Sequence, residues 1–333
     1  MHKSFYAMLA VLSIALVGCK CDKGCDSQVL SERYIHKYGY DVAKDDWEEN
    51  NYPGQVITTL RNGITINAKY EDGRLHGTST YSYPHSQTLE SAHLYDRGHL
   101  IKKTTYSLHG APTREEIFLS PSRIKATTWF ASGTPLRIEE YEQGNLVEGQ
   151  YFNQNNKVES RVAGGEGVRC VRNTAAQLVA RETIEGGEVV LRTEYYENET
   201  PYTVTPLRHG KIHGTKKQYA PGGEPIAKEE WNNGIPHGTF VYFQNGAKYI
   251  ETPYVNGRKH GIERTFTDGE VLTQEAEWID GKRHGPTIAY LDGYNKVEWY
   301  YDNARVSKEK YNELCDQEKH IAKMSLLSSK DEE

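Results

Sequence analysis

The chain has 333 residues, and its 40 Lys and Arg against 46 Asp and Glu give a formal net charge of -6. This mildly acidic balance gives no reason to expect a nucleic-acid partner, because binding to phosphate depends on a positively charged surface. The 24 tyrosines and 30 glycines, beside 7 phenylalanines, favour thin, half-exposed β structure over a thick aliphatic core.

The N-terminus has the pattern of an export signal. A short basic start is followed by the apolar run Phe5–Val17, which is shorter than the roughly 20 residues that a transmembrane helix needs. The stretch Leu16-Val17-Gly18-Cys19 resembles the bacterial lipobox, in which signal peptidase II cuts before a cysteine that then carries acyl chains. The resemblance implies a signal peptide over residues 1–18 and lipidation at Cys19. An ordinary signal peptide with an incidental cysteine is the alternative.

This reading implies an exported protein that is held at a bacterial membrane by its N-terminal acyl chains. Lys20 stands where an Asp would favour retention in the inner membrane, so the outer membrane is the expected location. The remaining cysteines, Cys21, Cys25, Cys170 and Cys315, are even in number and permit two disulfides, with three pairings open.

The body of the chain repeats every 23 or 24 residues. The frame Gly-x-x-His-Gly marks the clearest copies, and its first glycines are the predicted repeat turns Gly73, Gly210, Gly234, Gly257 and Gly281. Asn-Gly and Asp-Gly dipeptides form tight turns that match the twist of strands. Alternating segments such as 239–243 lie between these turns, so each copy predicts a β-hairpin.

Two copies fit a spacing of one aromatic residue, two residues, Gly, three residues and Gly: Trp278 with Gly281 and Gly285, and Tyr254 with Gly257 and Gly261. The pattern resembles the MORN-repeat variant of the bacterial YwqK-type family over about residues 52–304. Thr287 and Glu263 replace a further glycine of the standard motif, which favours the variant. The resemblance also brings the family's antitoxin label, which in an exported protein would require an envelope toxin.

The predicted fold is all-β, an elongated single-layer antiparallel sheet of tandem hairpins with short helices at the two ends. One short helix is expected around Val29–Tyr38. Over Ser307–Leu327, a helical spacing of Tyr311, Leu314, Cys315, Ile321 and Met324 predicts a capping helix that closes the last hairpin. The predicted divisions are the signal peptide 1–18, a lipidated tether 19–51, a first array 52–160, an irregular junction 161–183, a second array 184–304, and a capping helix with an acidic tail 305–333.

The five histidines of the Gly-x-x-His-Gly frame could suggest a metal site. Equivalent residues in neighbouring copies lie two strands apart, about 9 to 10 Å, whereas zinc ligands converge at about 2 Å. We therefore interpret these histidines as parts of the turns. The paired acids Glu139-Glu140 and Glu229-Glu230 recur with the strands. Because side chains alternate along a strand, we expect one member of each pair to face water. No catalytic residue, metal site or cofactor is predicted.

The aromatic residues are the candidate functional set. They recur every 11 to 13 residues and predict a cross-strand ladder of Tyr219, Trp231, Tyr242, Tyr254, Phe266, Trp278 and Tyr290. Such a face could bind a partner, although the same residues could serve only to pack the sheet. The sequence thus favours a membrane-anchored, non-catalytic scaffold that binds an unidentified protein, or a glycan or lipid. A neutraliser of an envelope toxin and a metal-dependent enzyme are the alternatives.

Overall fold

The computed structural model describes residues 28–173 and 175–328. The chain divides into two compact units, the first ending at Ala111 and the second beginning at Pro112. This boundary differs from the predicted junction at 161–183. The predicted signal peptide, Cys19, Cys21, Cys25 and the acidic tail from residue 329 lie outside the described residues.

The first unit is an antiparallel sheet of hairpins with one short helix. Its strands pair in the order β2, β1, β3, β4, β6, β7 and β8, and β5 also pairs with β4. The elements are β1 (Val29–His36), β2 (Asp41–Val42), α1 (Lys44–Asn50), β3 (Gly54–Leu60), β4 (Thr65–Glu71), β5 (Arg74–Leu75), β6 (Gly77–Ser82), β7 (Leu89–Asp96) and β8 (His99–Tyr106).

The prediction of a helix around Val29–Tyr38 is wrong, because residues 29–36 form β1, which pairs with β3. Cross-strand pairing outweighs the weak helical preference of the segment. The helix of this unit is α1, and its Trp47 is buried against the rings of Tyr34 and Tyr70 at 5.7 and 6.2 Å. The described part of the predicted tether therefore belongs to the folded unit.

The second unit is again an antiparallel sheet with a helix at its end. Strands that follow each other in the chain are paired, except that each two-residue strand pairs only with the strand before it. The elements are β9 (Pro112–Ser120), β10 (Arg123–Trp129), β11 (Pro135–Glu142), β12 (Asn145–Phe152), β13 (Val158–Ala163), β14 (Glu166–Arg172), β15 (Leu178–Glu185), β16 (Glu188–Tyr195), β17 (Pro201–Arg208), β18 (Lys211–Ile212), β19 (Gly214–Tyr219), β20 (Pro225–Asn232), β21 (Ile235–Pro236), β22 (Gly238–Gln244), β23 (Ala247–Val255), β24 (Arg258–Lys259), β25 (Gly261–Thr267), β26 (Val271–Ile279), β27 (Lys282–Leu291), β28 (Tyr294–Tyr301), β29 (Ala304–Val306) and α2 (Lys308–Ser328).

The predicted fold class is confirmed: the protein is all-β, built of tandem antiparallel hairpins, with helices near both ends of the described chain. The irregular junction predicted at 161–183 is wrong, because most of the described residues of this stretch belong to β13, β14 and β15. A Gly164-Gly165 turn joins the first two, with φ of 59° and 79°. The strands also supply Val162, Leu178 and Ile184 to a buried apolar cluster. Apolar residues here replace the aromatic-glycine frame, which hid the strands from the sequence pattern.

The predicted repeat turns lie at hairpin reversals. Gly73, Gly210, Gly234, Gly257 and Gly281 have φ between 70° and 85°, and the residue before each also has positive φ. Successive turns are joined by backbone hydrogen bonds, since Gly257 N donates to Pro236 O at 2.9 Å and Gly281 N donates to Lys259 O at 2.8 Å. The repeat is therefore linked through its turns as well as through its strands.

The strands from β20 to β28 have two distinct faces. Residues directly opposite each other in an antiparallel pair point to the same side of the sheet. Phe240 lies opposite Thr252, and both are on the side that we call the front face. Thr239 lies opposite Pro253 on the other side, the back face.

Candidate functional site

The seven aromatic residues do not form one ladder. Trp231, Tyr254 and Trp278 lie on the front face beside the turns at Gly234, Gly257 and Gly281. Tyr219, Tyr242, Phe266 and Tyr290 lie towards the opposite ends of the strands. Consecutive strands run in opposite directions, so a residue that recurs every 12 positions alternates between the two ends.

The front-face aromatics are spaced by other side chains. Phe240 bridges Trp231 and Tyr254, with ring centroids 5.5 and 4.5 Å away. Lys259 Nζ lies 4.5 Å from the ring of Trp278, in the range of a cation–π contact. Burial raises the pKa of Tyr254. These contacts occupy the faces of the rings. The front-face aromatics therefore pack against side chains of the same sheet.

The aromatics at the other end also have contacts within the protein. Phe266 is buried, with Lys248 Nζ 3.9 Å from its ring. Burial raises the pKa of Tyr242. Tyr290 points to the back face, where its hydroxyl donates to Glu275 Oε2 at 2.7 Å.

A buried ionic network covers one face of β11 to β16, and the sequence interpretation missed it. Glu139 is 1% exposed, and its carboxylate lies 2.9 Å from Arg169 Nε and 3.4 Å from Arg137 Nε. The hydroxyls of Tyr141 and Tyr151 each donate to it at 3.0 Å. Burial, followed by the Glu139 charge, raises the pKa of Tyr141 to about 12.

The network continues along the sheet. Glu182 lies between Arg169, at 3.4 Å, and Arg192, which donates to its other oxygen. Arg192 Nε also lies 3.1 Å from Glu194 Oε1. In the pair Glu139-Glu140, one member enters this network while the other pairs with Arg123 on the opposite side of the sheet at 2.9 Å. The predicted alternation of the two acids is present, but the sequence did not indicate a buried partner for either.

The five histidines do not lie in the turns. In the copy around His237, Trp231 pairs with Pro236 whereas Ala227 pairs with Tyr242, so the register shifts by two at His237-Gly238. This is a β-bulge, and Gly238 has φ of 92°. His76, His213 and His260 interrupt their strands in the same way, while His284 lies within β27 at the same shift in register.

The bulge places three of these histidines near an Asp at the next turn. His76 Nδ1 lies 3.4 Å from Asp96, His260 Nδ1 lies 3.6 Å from Asp280, and His284 Nδ1 lies 3.4 Å from Asp302. Within residues 28–173 and 175–328, no group of three or more His, Cys, Asp or Glu side chains is placed to hold a metal ion.

The two faces differ in exposure. On the front face Ala227, Thr252 and Ala276 are at most 3% exposed. On the back face the exposed apolar residues Ile235, Val255, Ile262, Ile279 and Val297 range from 40 to 50%. A shallow depression of about 420 Å³ lies beside Ile262 and is lined by Thr239, Glu251, Pro253, Gly261, Ile262 and Arg264. The back face is therefore the candidate interaction site.

Charged side chains line this depression and also flank it. Arg264 Nε lies 3.0 Å from Glu275 Oε1, and Lys248 Nζ lies 3.0 Å from Glu251 Oε1. The pKa of Glu275 is lowered, chiefly because the Tyr290 hydroxyl donates to it and then because of Arg264. Exposed apolar residues bordered by polar and charged side chains are typical of protein interfaces.

The chain matches no protein-family model and no curated protein. Among the described helices, neither has the length and apolar character needed to cross a membrane.

Cys170 and Cys315 are both free thiols, so the pairing between them that the sequence left open does not occur.

Proposed function

We propose that the protein is a membrane-anchored, non-catalytic scaffold of MORN-like hairpins that binds a protein partner on the back face of β20 to β28. The observation that carries this proposal is the contrast between the two faces. The front face is filled by its own side chains, whereas every repeat on the back face leaves an apolar side chain about half exposed. A repeated surface of this kind offers an extended contact area.

The helix α2 supports a protein as the partner. It packs Tyr311 against Trp299, which lies on the back face opposite Pro286, with ring centroids 5.0 Å apart. One end of the back face thus already holds a helix of this chain. A partner that presents similar apolar and aromatic side chains would continue the same packing towards Ile262.

The anchor is proposed at Cys19, with the outer membrane as its location. Nine peptide steps separate Cys19 from Gln28, the first described residue, and extended chain spans at most about 30 Å over that length. The first unit would therefore stay close to the membrane surface.

The partner surface is tested by photo-crosslinking in cells that produce the full chain. A photoreactive residue at Ile262 or at Val297 is expected to capture the same protein. Arg264→Glu is expected to abolish both adducts, because it reverses a charge in the depression. The matched control is a photoreactive residue at Ile321, which is 68% exposed and apolar but lies on the distal part of α2. Equal capture at Ile321, adducts only with glycan or lipid, or no adduct at all would contradict the proposal.

The anchor is tested separately with a clickable fatty acid. Label is expected on the wild-type chain and not on Cys19→Ser, and the labelled protein is expected in the outer-membrane fraction. Lys20→Asp is expected to move it to the inner membrane while the label remains. Wild-type protein without label would overturn the proposed lipidation and leave the back-face proposal standing.

A further inference from the structure

A thiol, an imidazole and a carboxylate meet where α2 packs on the last hairpin. His284 is the histidine of the last repeat, and its Nδ1 lies 3.4 Å from Asp302 Oδ1. On the other side of the ring, Nε2 lies 4.0 Å from Cys315 Sγ, on the second turn of α2. This order of thiol, imidazole and carboxylate is the arrangement that activates cysteine nucleophiles in other proteins.

The carboxylate is held in its ionised form. Lys282 Nζ donates to Asp302 Oδ2 at 2.6 Å, and this bond, together with His284, lowers the pKa of Asp302. An ionised carboxylate at Nδ1 favours the tautomer in which Nδ1 carries the hydrogen. Nε2 then faces the thiol as a proton acceptor.

Comparison among the repeats shows what is particular to this copy. The same His–Asp contact occurs at His76 and His260, whose side chains are 40 and 46% exposed. The His284 side chain is 9% exposed, because Tyr301 and Tyr311 cover its ring at 4.8 and 5.5 Å. Among the described residues, Cys315 is the one cysteine that approaches such a pair. The repeat therefore supplies the His–Asp pair, and α2 adds the thiol and the cover.

We propose that Cys315 is a nucleophilic thiol that is modified by low-molecular-weight disulfides. In this arrangement His284 activates the thiol, and Asp302 orients the His284 ring. Disulfide exchange needs an attacking thiolate, access to its sulfur and a proton for the departing thiol. The His284 imidazole serves the first and third needs. Cys315 is a partly buried residue, whereas the other described cysteine is buried.

The step balances in atoms and electrons. His284 Nε2 takes the Cys315 proton, and the thiolate attacks one sulfur of the disulfide R–S–S–R. A new Sγ–S bond forms, the old S–S bond breaks, and the departing thiolate receives the proton from His284 to leave as R–SH. The Cys315 sulfur is oxidised to the disulfide level while the departing sulfur is reduced.

Two neighbours shape this reactivity. Burial, followed by the nearby thiol, raises the pKa of Tyr311, so its hydroxyl stays protonated and can donate to the thiolate. Cys170 provides the internal comparison. It is 5% exposed in the apolar cluster, where burial raises the pKa of its thiol, and it is expected to stay unmodified.

The test uses the full chain in detergent, treated with oxidised glutathione at pH 7, with the adduct at each cysteine quantified on its own peptide. Free cysteine is only a few per cent thiolate at this pH, so an activated Cys315 is expected to react about 10-fold faster than a small-molecule thiol. His284→Asn is expected to remove this gain, and the matched variant His260→Asn is expected to leave it unchanged.

A purely structural role for His284 predicts the opposite sign. Loss of the buried ring would loosen α2, expose Cys315 and accelerate its modification. Asp302→Asn keeps the imidazole and the helix contacts, and it is expected to slow the reaction as well, with hydrogen exchange showing that α2 remains packed. Faster or unchanged modification in both variants, or a wild-type rate no higher than that of the small-molecule thiol, would overturn the proposal.

Discussion

Asn256 and Gly257 show how single residues set the repeat. Both have positive φ, 50° and 85°, as the two central residues of a type I′ hairpin turn require. Asn tolerates this conformation better than most residues, whereas Ala does not. Asn256→Ala is expected to lower the free energy of unfolding by about 1 kcal/mol, the cost of a left-handed non-glycine residue. Urea denaturation measures it, with Asn256→Gly as the control that should stay within a few tenths of wild type.

Glu139 is the residue on which the buried network depends most. It is in contact with two arginines and two tyrosine hydroxyls while 1% exposed. Glu139→Ala is expected to lower the free energy of unfolding by about 3 to 5 kcal/mol, because Arg169 would keep its charge without its partner. Glu140→Ala is the matched control, since its ion pairs lie nearer to solvent and are worth about 0 to 1 kcal/mol. Similar losses for the two variants would contradict the importance of the network.

His93 gives the first unit a pH dependence. Burial, and then the charge of Lys103, lower its pKa to about 4. As the pH falls below about 6.5, the unfolded chain binds a proton at His93 and the folded chain does not, so stability decreases until about pH 4. His93→Gln is expected to flatten this slope between pH 6.5 and 4 in hydrogen exchange of β6 and β7. The exposed His99→Gln should retain it, and an unchanged slope in His93→Gln would contradict the assignment.

At the residue scale, local chemistry was readable from the sequence and cross-strand partners were not. Asn256-Gly257 identifies its turn because backbone conformation depends on the two residues themselves. The sequence predicts a turn at His237 and the structure has a β-bulge there, because a register shift between strands leaves no local signal. Glu139 could not be recognised as buried, since its partner Arg169 is three strands away along the chain.

At the scale of single elements, the period-2 alternation predicted the hairpins wherever the aromatic-glycine frame was intact. β13 to β15 were missed because their buried positions hold Val162, Leu178 and Ile184 in place of aromatic residues. The helix predicted over β1 is wrong because the segment has no clear local pattern. Its conformation is decided by pairing with β3. Both errors lie where contacts distant in sequence determine the structure.

The apolar spacing predicts the helix α2 but does not indicate which of its apolar side chains are buried. Tyr311, Leu314 and Cys315 are partly buried, whereas Ile321 and Met324 are more than half exposed. Tyr311→Ala is expected to cost about 2 kcal/mol and to remove hydrogen-exchange protection over residues 308–318, because the ring packs on Trp299 and His284. Met324→Ala is the control and should leave that protection intact. Equal effects of the two variants would mean that the helix is not held by Tyr311.

At the scale of the whole second unit, each hairpin contacts chiefly its neighbours, and the unit should behave as a chain of coupled repeats. A defect is then expected to lower local stability most where it occurs and progressively less in more distant hairpins. Glu139→Ala should reduce hydrogen-exchange protection strongly in β10 to β15, which share the ionic network, and leave β26 to β28 close to wild type. The buried cluster of Leu146, Val162 and Ile184 adjoins the network and should extend the affected region to β15.

Asn256→Ala is the reciprocal experiment, with its largest effect expected in β22 to β26. A uniform loss of protection from β9 to β29 in either variant would instead require the unit to unfold in a single cooperative step, and the nearest-neighbour description would be wrong.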